Sequence, residues 1–279
     1  MGHNLSSLRF LHIPKTAGQT LEATLLRQYN KERSFRFTGN VSSDINKFEA
    51  LSEDQKKNVN FFYGHSTIGT GIAEADNTTI ITILRNPVSR VMAFCQHVSE
   101  GKSPYLLKLF PPESFNLDQF LESKNPELSN LQTKLLIYDA NAASPLSLET
   151  LSATESRDLA LETLYKKISH IGLQEYFDHS MIIFSRELNW KLPIYRSKNL
   201  ENPKKLIKFE QRHLDHIAAL NKIDMEVYTH AKEHFLSVLN SVPFWKMKLK
   251  GYRFANSVAQ FAYKAMGKNS DAHKNIILP

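Results

Sequence analysis

The chain has 279 residues, 42% of them hydrophobic and 23% charged, the balance of one large globular domain whose core needs no covalent staples. Its single cysteine, Cys95, excludes an intramolecular disulfide and a cysteine-based zinc site and fits a reducing compartment. The net charge is +7, but seven Lys/Arg stand against one Asp from Phe244 onward, which leaves the first 243 residues near +1; the basic bias is local and argues against a nucleic-acid-binding surface.

Met1-Gly2-His3-Asn4 opens the chain without the basic and apolar regions of a signal peptide, and no run of about 18 apolar residues follows, so no membrane span is expected. Gly2 and Ser6 match a myristoylation signal only superficially. The Asn-x-Ser/Thr triplets at Asn4, Asn40 and Asn77 read as chance. A first short strand is predicted at Leu8–Ile13, followed by a Pro-Lys-Thr-Ala-Gly turn and a helix over Gln19–Tyr29 with apolar residues at Leu21, Leu25 and Leu26. That is the opening of an α/β unit. Residues 30–58 are polar and give no assignment. Asn60–Tyr63 reads as a second strand ending at Gly64-His65, and Gly69 and Gly71 mark a turn. Thr78–Leu84 is β-branched and apolar, the signature of a buried parallel strand, and Pro87 suits the first turn of the helix after it. A loop over Pro104–Pro112 and helices over Leu117–Leu121, Leu131–Ile137 and Ser156–Lys167 come next. A late strand at Ile168–Leu173 precedes helices over Tyr176–Leu188 and Gln211–Leu239, the last broken near Lys222-Ile223-Asp224. A basic amphipathic helix over Phe244–Met266 ends the pattern. Neither internal repeats nor low-complexity segments are present.

Two segments carry chemistry. In His12-Ile13-Pro14-Lys15-Thr16-Ala17-Gly18-Gln19-Thr20, backbone N–H groups at a helix start point at whatever sits above them, and the helix dipole adds positive potential. Gly18 permits close approach, Lys15 brings a full charge, and Thr16 and Thr20 bring hydroxyls, so the loop suits a phosphate or sulfate ester. An ordinary strand-to-helix turn with a surface lysine is the bland alternative. In a nucleotide-triphosphate P-loop the lysine follows the second glycine; here Lys15 precedes Gly18 and the first glycine is missing. In the second segment, Thr82-Ile83-Leu84-Arg85-Asn86-Pro87-Val88-Ser89-Arg90-Val91, a buried strand delivers Arg85 to the carboxyl edge of the sheet, where α/β folds bind ligands. Its guanidinium offers a fork of donors to a phosphate. A P-loop kinase would place a magnesium-binding aspartate there.

Together these segments resemble the carbohydrate sulfotransferases related to the heparan sulfate 2-O- and 6-O-sulfotransferases and their bacterial relatives. The resemblance covers about Leu8 to Phe235. It implies a P-loop-like three-layer α/β/α core with a central parallel sheet and additional C-terminal helices, and 3′-phosphoadenosine-5′-phosphosulfate (PAPS) as sulfuryl donor without a metal. It places Pro14, Lys15, Thr16, Ala17, Gly18, Gln19 and Thr20 around the 5′ end of PAPS and Arg85 at its 3′-phosphate. Asn130-Leu131-Gln132-Thr133-Lys134 resembles the family's Asn-x-Gln-Thr-Arg segment, which puts Thr133 and Lys134 near the cofactor. Ile171-Gly172-Leu173-Gln174-Glu175-Tyr176-Phe177-Asp178 resembles its Val-Gly-Leu-x-Glu-x-Phe-Asp segment. Three positions depart. Ala93 stands where the family has a serine that touches the 3′-phosphate, Asn86 replaces an aspartate, and Lys134 replaces an arginine; Ser89 or Arg90 is expected to compensate.

Sulfuryl transfer is an in-line displacement that needs positioning and charge stabilisation. Lys15 is expected to stabilise charge on the leaving phosphate oxygen. The acceptor hydroxyl needs a base, and His65, ending the second strand beside Gly64, is the candidate; the resemblance adds a similarly placed Gly-His pair, and a structural histidine is the alternative. His12 reads as packing, His97 as structural or surface, and His213 and His216 have no motif near them. The expected acceptor is a glycan or another hydroxyl-bearing molecule, with no nucleic acid. Expected domains are 1–243, the sulfotransferase domain, and 244–279, a basic helix and tail. Its cations (Lys246, Lys248, Lys250, Arg253, Lys264, Lys268) flank Phe244, Trp245, Tyr252, Phe254, Phe261 and Tyr263, and it either packs on the core or touches an anionic membrane surface or acceptor. The expected compartment is the cytoplasm, or the Golgi lumen if the chain is the trimmed portion of a longer eukaryotic protein. Two other readings stay open: a P-loop kinase of a small molecule, and a non-catalytic nucleotide- or glycan-binding protein of the same fold.

Overall fold

Five parallel strands form one sheet in the order β2-β3-β1-β4-β5, with β1 Ser7–Leu11, β2 Ser34–Thr38, β3 Phe61–His65, β4 Thr78–Leu84 and β5 His170–Leu173. These come from a computed structural model that describes residues 7–74, 77–138, 150–190, 193–195 and 206–265. The N-terminal acylation and first glycosylation motifs, and everything past Ala265, lie outside them.

Eleven α-helices surround the sheet among the described residues: α1 Gly18–Leu25, α2 Val41–Glu49, α3 Glu53–Asn58, α4 Pro87–Ser99, α5 Leu117–Glu122, α6 Leu131–Ile137, α7 Ala153–Lys166, α8 Phe177–Glu187, α9 Gln211–Leu220, α10 Lys222–Ser241 and α11 Trp245–Ala265. Successive strand residues point to opposite faces, and β3 shows that both faces are covered. Phe61 and Tyr63 enter the main apolar core, whereas Phe62 joins Phe37 and Ile72 in a second cluster sealed by Ile45 and Phe48 of α2. The chain has the α/β, P-loop-like architecture expected of it: a central all-parallel sheet flanked by helices.

Strand β2 lies inside the polar stretch that gives no sequence assignment. Only Phe37 of its five residues is buried, and as an edge strand it needs no long apolar run. The long C-terminal helix breaks at Asn221, one residue before Lys222. The Asn221 side chain is buried and donates to the carbonyls of Leu128 (2.7 Å) and Ile217 (2.9 Å).

The expected apolar first strand holds a buried charge. Arg9 is fully buried and pairs with Glu74 across 65 residues; it also donates to the carbonyl of Ile72 (2.9 Å), to that of Thr67 and to Ser66 Oγ (3.3 Å). Glu74 in turn accepts from the N–H groups of Gly69 and Thr70. The pair therefore fastens residues 66–74, the loop that leaves β3, onto β1. Taking two charges from water is costly, and the added hydrogen bonds are what make such a pair tolerable.

Candidate active site

The strand order fixes where a ligand can sit. The chain leaves β1 to one side for β2 and β3 and then crosses to β4 on the other side, so the switch point lies at the carboxyl end of β1, the crevice that α/β sheets use for ligands. Three neighbouring strands end there. Strand β1 delivers the His12–Gly18 turn, β3 delivers His65 and β4 delivers Arg85. A cavity of about 940 Å³ opens at this edge, and Lys15, Gly18, Gln19, Thr20, His65 and Arg85 all line it.

The turn after β1 is built for backbone presentation. Lys15 (φ 69°) and Ala17 (φ 68°) both adopt left-handed backbone without being glycine, at a cost of about 1–2 kcal/mol each. Such turns make concave N–H cradles for anions and cluster at functional sites. Ala17 is the N-cap of α1, and no acidic residue in the first turn opposes an anion there. Thr16 faces inward: it is fully buried, and its hydroxyl donates to the Ile13 carbonyl at 2.8 Å, so its side chain holds the turn and does not line the cavity.

Gly18 is required by His12. A Cβ at position 18 would stand 1.9 Å from His12 Cδ2 and 2.0 Å from its Nε2. The His12 ring therefore lies directly on the Gly18 backbone, held by Glu22 of α1, whose Oε1 is 2.7 Å from Nδ1. His12 packs, as expected, at 3% exposure, but it also reaches the cavity wall, with its ring centroid 4.2 Å from that of His65.

His65 is positioned by the neighbouring backbone. Its Nδ1 lies 3.1 Å from the His12 carbonyl. A carbonyl can only accept, so Nδ1 carries the proton and Nε2 keeps its lone pair. Burial first, then neighbouring His12, holds the imidazole down at about 4, against an ordinary 6.5. The preceding Gly64 (φ 110°) is equally constrained, since a Cβ there would lie 2.2 Å from the Phe37 carbonyl oxygen. The Gly-His pair is thus set by the close approach of β2.

Arg85 is clamped at its backbone. Gln132 of α6 accepts from the Arg85 N–H (3.0 Å) and donates to its carbonyl (2.8 Å). The guanidinium Nη1 donates to the Lys15 carbonyl at 3.0 Å, which ties the second anion segment to the first. Asn86 caps α4 by accepting from the Ser89 N–H, and its own N–H donates to Glu175 at 2.7 Å. Asparagine caps a helix as well as aspartate, so the departure at this position keeps the cap.

Besides Thr16, four predicted contacts lie away from the cavity wall. Ser89, Arg90, Thr133 and Lys134 are absent from the cavity wall. Arg90 is fully buried, and its Nη2 donates to the Glu127 carbonyl. Thr133 is fully buried on Asp224 of α10, which accepts from its N–H (2.7 Å) and from its hydroxyl (2.7 Å). Lys134 reaches back to the Pro126 carbonyl and to Ser129 Oγ, both at 3.0 Å. Neither Ser89 nor Arg90, expected to compensate for Ala93, lines the cavity.

His97 is where the structure adds a group. Ala93 lines the cavity, and His97, one turn later on α4, lines it too. Burial first, then Lys15 and Lys102, lowers the His97 imidazole to about 4. The sequence signal was its spacing: four residues after Ala93 on a helix is the same face. Among the described residues no group of three His, Cys, Asp or Glu side chains is placed to hold a metal. No helix among them is long and apolar enough to cross a membrane.

Known proteins similar in sequence to this chain are carbohydrate sulfotransferases. No protein-family model matches the chain. Heparan-sulfate 6-O-sulfotransferase 2 of Gallus gallus is 24% identical over 183 residues, covering 57% of this chain and 45% of the relative. Heparan-sulfate 6-O-sulfotransferase 3 of Mus musculus is 25% identical over 187 residues, covering 57% and 38%. Heparan-sulfate 6-O-sulfotransferase 1 of Cricetulus griseus is 25% identical over 181 residues, covering 56% and 44%. The chain is related to the carbohydrate sulfotransferases. It spans less than half the length of these sulfotransferase relatives.

Proposed function

We propose that the chain transfers a sulfuryl group from PAPS to a hydroxyl of a carbohydrate or glycoconjugate, by in-line displacement and without a metal. What carries the reading is the convergence of the Lys15 turn, Arg85 and His65 from the ends of three adjacent strands onto one cavity. The fit to the donor rests on the chain's own groups. Lys15 and the N–H groups at the start of α1 would hold its 5′ end, and Arg85 its 3′-phosphate. When bound, PAPS supplies the sulfuryl group and a phosphate leaving group.

Each residue then has a distinct task. Lys15 brings positive charge to the oxygen on which charge develops, in a partly desolvated site where this counts for more than in water. His65 Nε2 takes the proton of the acceptor hydroxyl, with Nδ1–H fixed on the His12 carbonyl. Glu22 holds the His12 ring, whose centroid lies 4.2 Å from that of His65 and against which His65 is oriented. Arg85, pinned by Gln132, sets the distance between the two anion sites.

The deciding experiment is calorimetric titration of the chain with 3′-phosphoadenosine-5′-phosphate, and with ATP plus magnesium, followed by transfer from radiolabelled PAPS to a desulfated glycan. Tight binding of the bisphosphate, and EDTA-resistant transfer lost in Lys15→Ala, are the expected outcome. Preference for ATP with magnesium would favour the kinase reading, and binding without transfer a non-catalytic one.

A further inference from the structure

Helix α11 shows the core one face and solvent another, and the outer face is apolar. Leu249, Tyr252, Asn256 and Ala259 are buried. Tyr252 donates to the Pro193 carbonyl (2.9 Å), Asn256 accepts from the Tyr195 N–H (2.9 Å), and Arg253 pairs with Asp178 of α8 (2.8 Å). These contacts fix the rotation of the helix. Met247, Phe254, Val258 and Phe261 are then left 67%, 73%, 50% and 76% exposed. Their spacings of seven, four and three residues place them on one stripe, about 21 Å long at 1.5 Å per residue.

The charges beside the stripe identify what would cover it. Lys246 and Lys250 lie along one flank and Lys248 along the other, and none of the three forms an ion pair among the described residues. No acidic residue occurs between Phe244 and Ser270. A second copy of the helix would bring the same cations together without counter-charge. An apolar stripe rimmed by uncompensated lysines matches a surface that is negative above and apolar below.

The geometry points to α11 as an interfacial helix that docks the protein on an anionic lipid bilayer, with Met247, Phe254, Val258 and Phe261 entering the headgroup boundary and Lys246, Lys248 and Lys250 at the lipid phosphates. This is independent of the sulfuryl-transfer reading, since no residue of the cavity takes part.

Vesicle flotation of the full chain tests it, using phosphatidylcholine alone and phosphatidylcholine with about one phosphatidylserine in three. Flotation with the anionic vesicles only, reversed by high salt, is expected. Phe254→Ser with Phe261→Ser should weaken it by at least about tenfold, and Lys248→Glu or Lys250→Glu each by about fivefold or more. The changed side chains are solvent-exposed, and an unaltered melting temperature establishes that the fold is kept. Absence of flotation with either vesicle, equal flotation with both, or indifference to the Phe254/Phe261 change overturns the proposal. So does a lipid-free dimer that the same change disperses, which would assign the stripe to a second copy.

Discussion

Replacing His65 by glutamine tests the base and its environment in one variant. Burial and His12 hold the native imidazole at about 4, whereas the unfolded chain titrates near 6.5. Below 6.5 the unfolded state therefore takes up a proton that the folded state refuses, and stability falls as pH drops from 6.5 to about 4. At about 1.4 kcal/mol per pH unit, this one residue accounts for about 3 kcal/mol over that window and for nothing above it. Urea unfolding of both proteins between pH 7 and 4.5 reads the difference directly, because the other histidines are common to both. In the transfer assay the loss of a general base predicts a fall in kcat of about 100- to 10,000-fold at pH 7. The pH profile adds a sharper expectation. An imidazole at 4 is a weak base, but an anionic donor in the cavity raises it by favouring its charged form. The acid limb of kcat/KM, which reports the free enzyme, should lie near pH 4 to 5, and the limb of kcat should lie higher. Matching stability profiles for the two proteins, or an acid limb unchanged in His65→Gln, would refute this account.

Gly18→Ala forces a Cβ to 1.9 Å from the His12 ring; overpacking of this kind costs about 1–3 kcal/mol and should lower the melting temperature by roughly 2–10 °C, with weaker bisphosphate binding in calorimetry. Ala93→Ser adds a hydroxyl to the cavity wall that Arg85 and His97 share. One extra donor to a phosphate, worth about 1 kcal/mol, should tighten 3′-phosphoadenosine-5′-phosphate binding about fivefold. Cys95 is fully buried with its thiol pushed up to about 12, so a thiol reagent at pH 8 should label the native chain negligibly and one thiol per chain after unfolding.

Local chemistry made the frame legible. The apolar run over Thr78–Leu84 and the strand–turn–helix around Lys15 follow from periodicity and turn residues alone, and both candidate loops sit at strand ends for that reason. The Gly64-His65 pair was readable for the same cause. What escaped was set by distance. Ser34–Thr38 hides because its alternation, Phe35 and Phe37 about an outward Arg36, is only five residues long and lies in a polar stretch at the sheet edge. Arg9 looks like an interruption of an apolar strand until Glu74, 65 residues away, is seen beside it. His97 looks like a surface residue until α4 is docked with Lys15 opposite.

The Asn130–Lys134 segment shows why residue types alone can misplace a site. Gln132 contacts the Arg85 backbone and Thr133 is buried on Asp224, and neither lines the cavity. Asp224 accepts from the N–H groups of both (3.1 and 2.7 Å), which fastens the start of α6 to α10, and Gln132 then holds both backbone groups of Arg85. A carboxylate at a helix N-terminus is favourable on its own account, so this clamp needs no ligand to be stable. The Arg9–Glu74 pair does the same for the loop beyond His65. Two buried polar clamps outside the cavity therefore hold its wall, one behind Arg85 and one behind the loop that follows His65. On the proposed function, Asp224→Asn, which weakens the clamp behind Arg85, should lower the calorimetric affinity for 3′-phosphoadenosine-5′-phosphate more than that for a single phosphate, because only the former must span the Lys15 turn and Arg85.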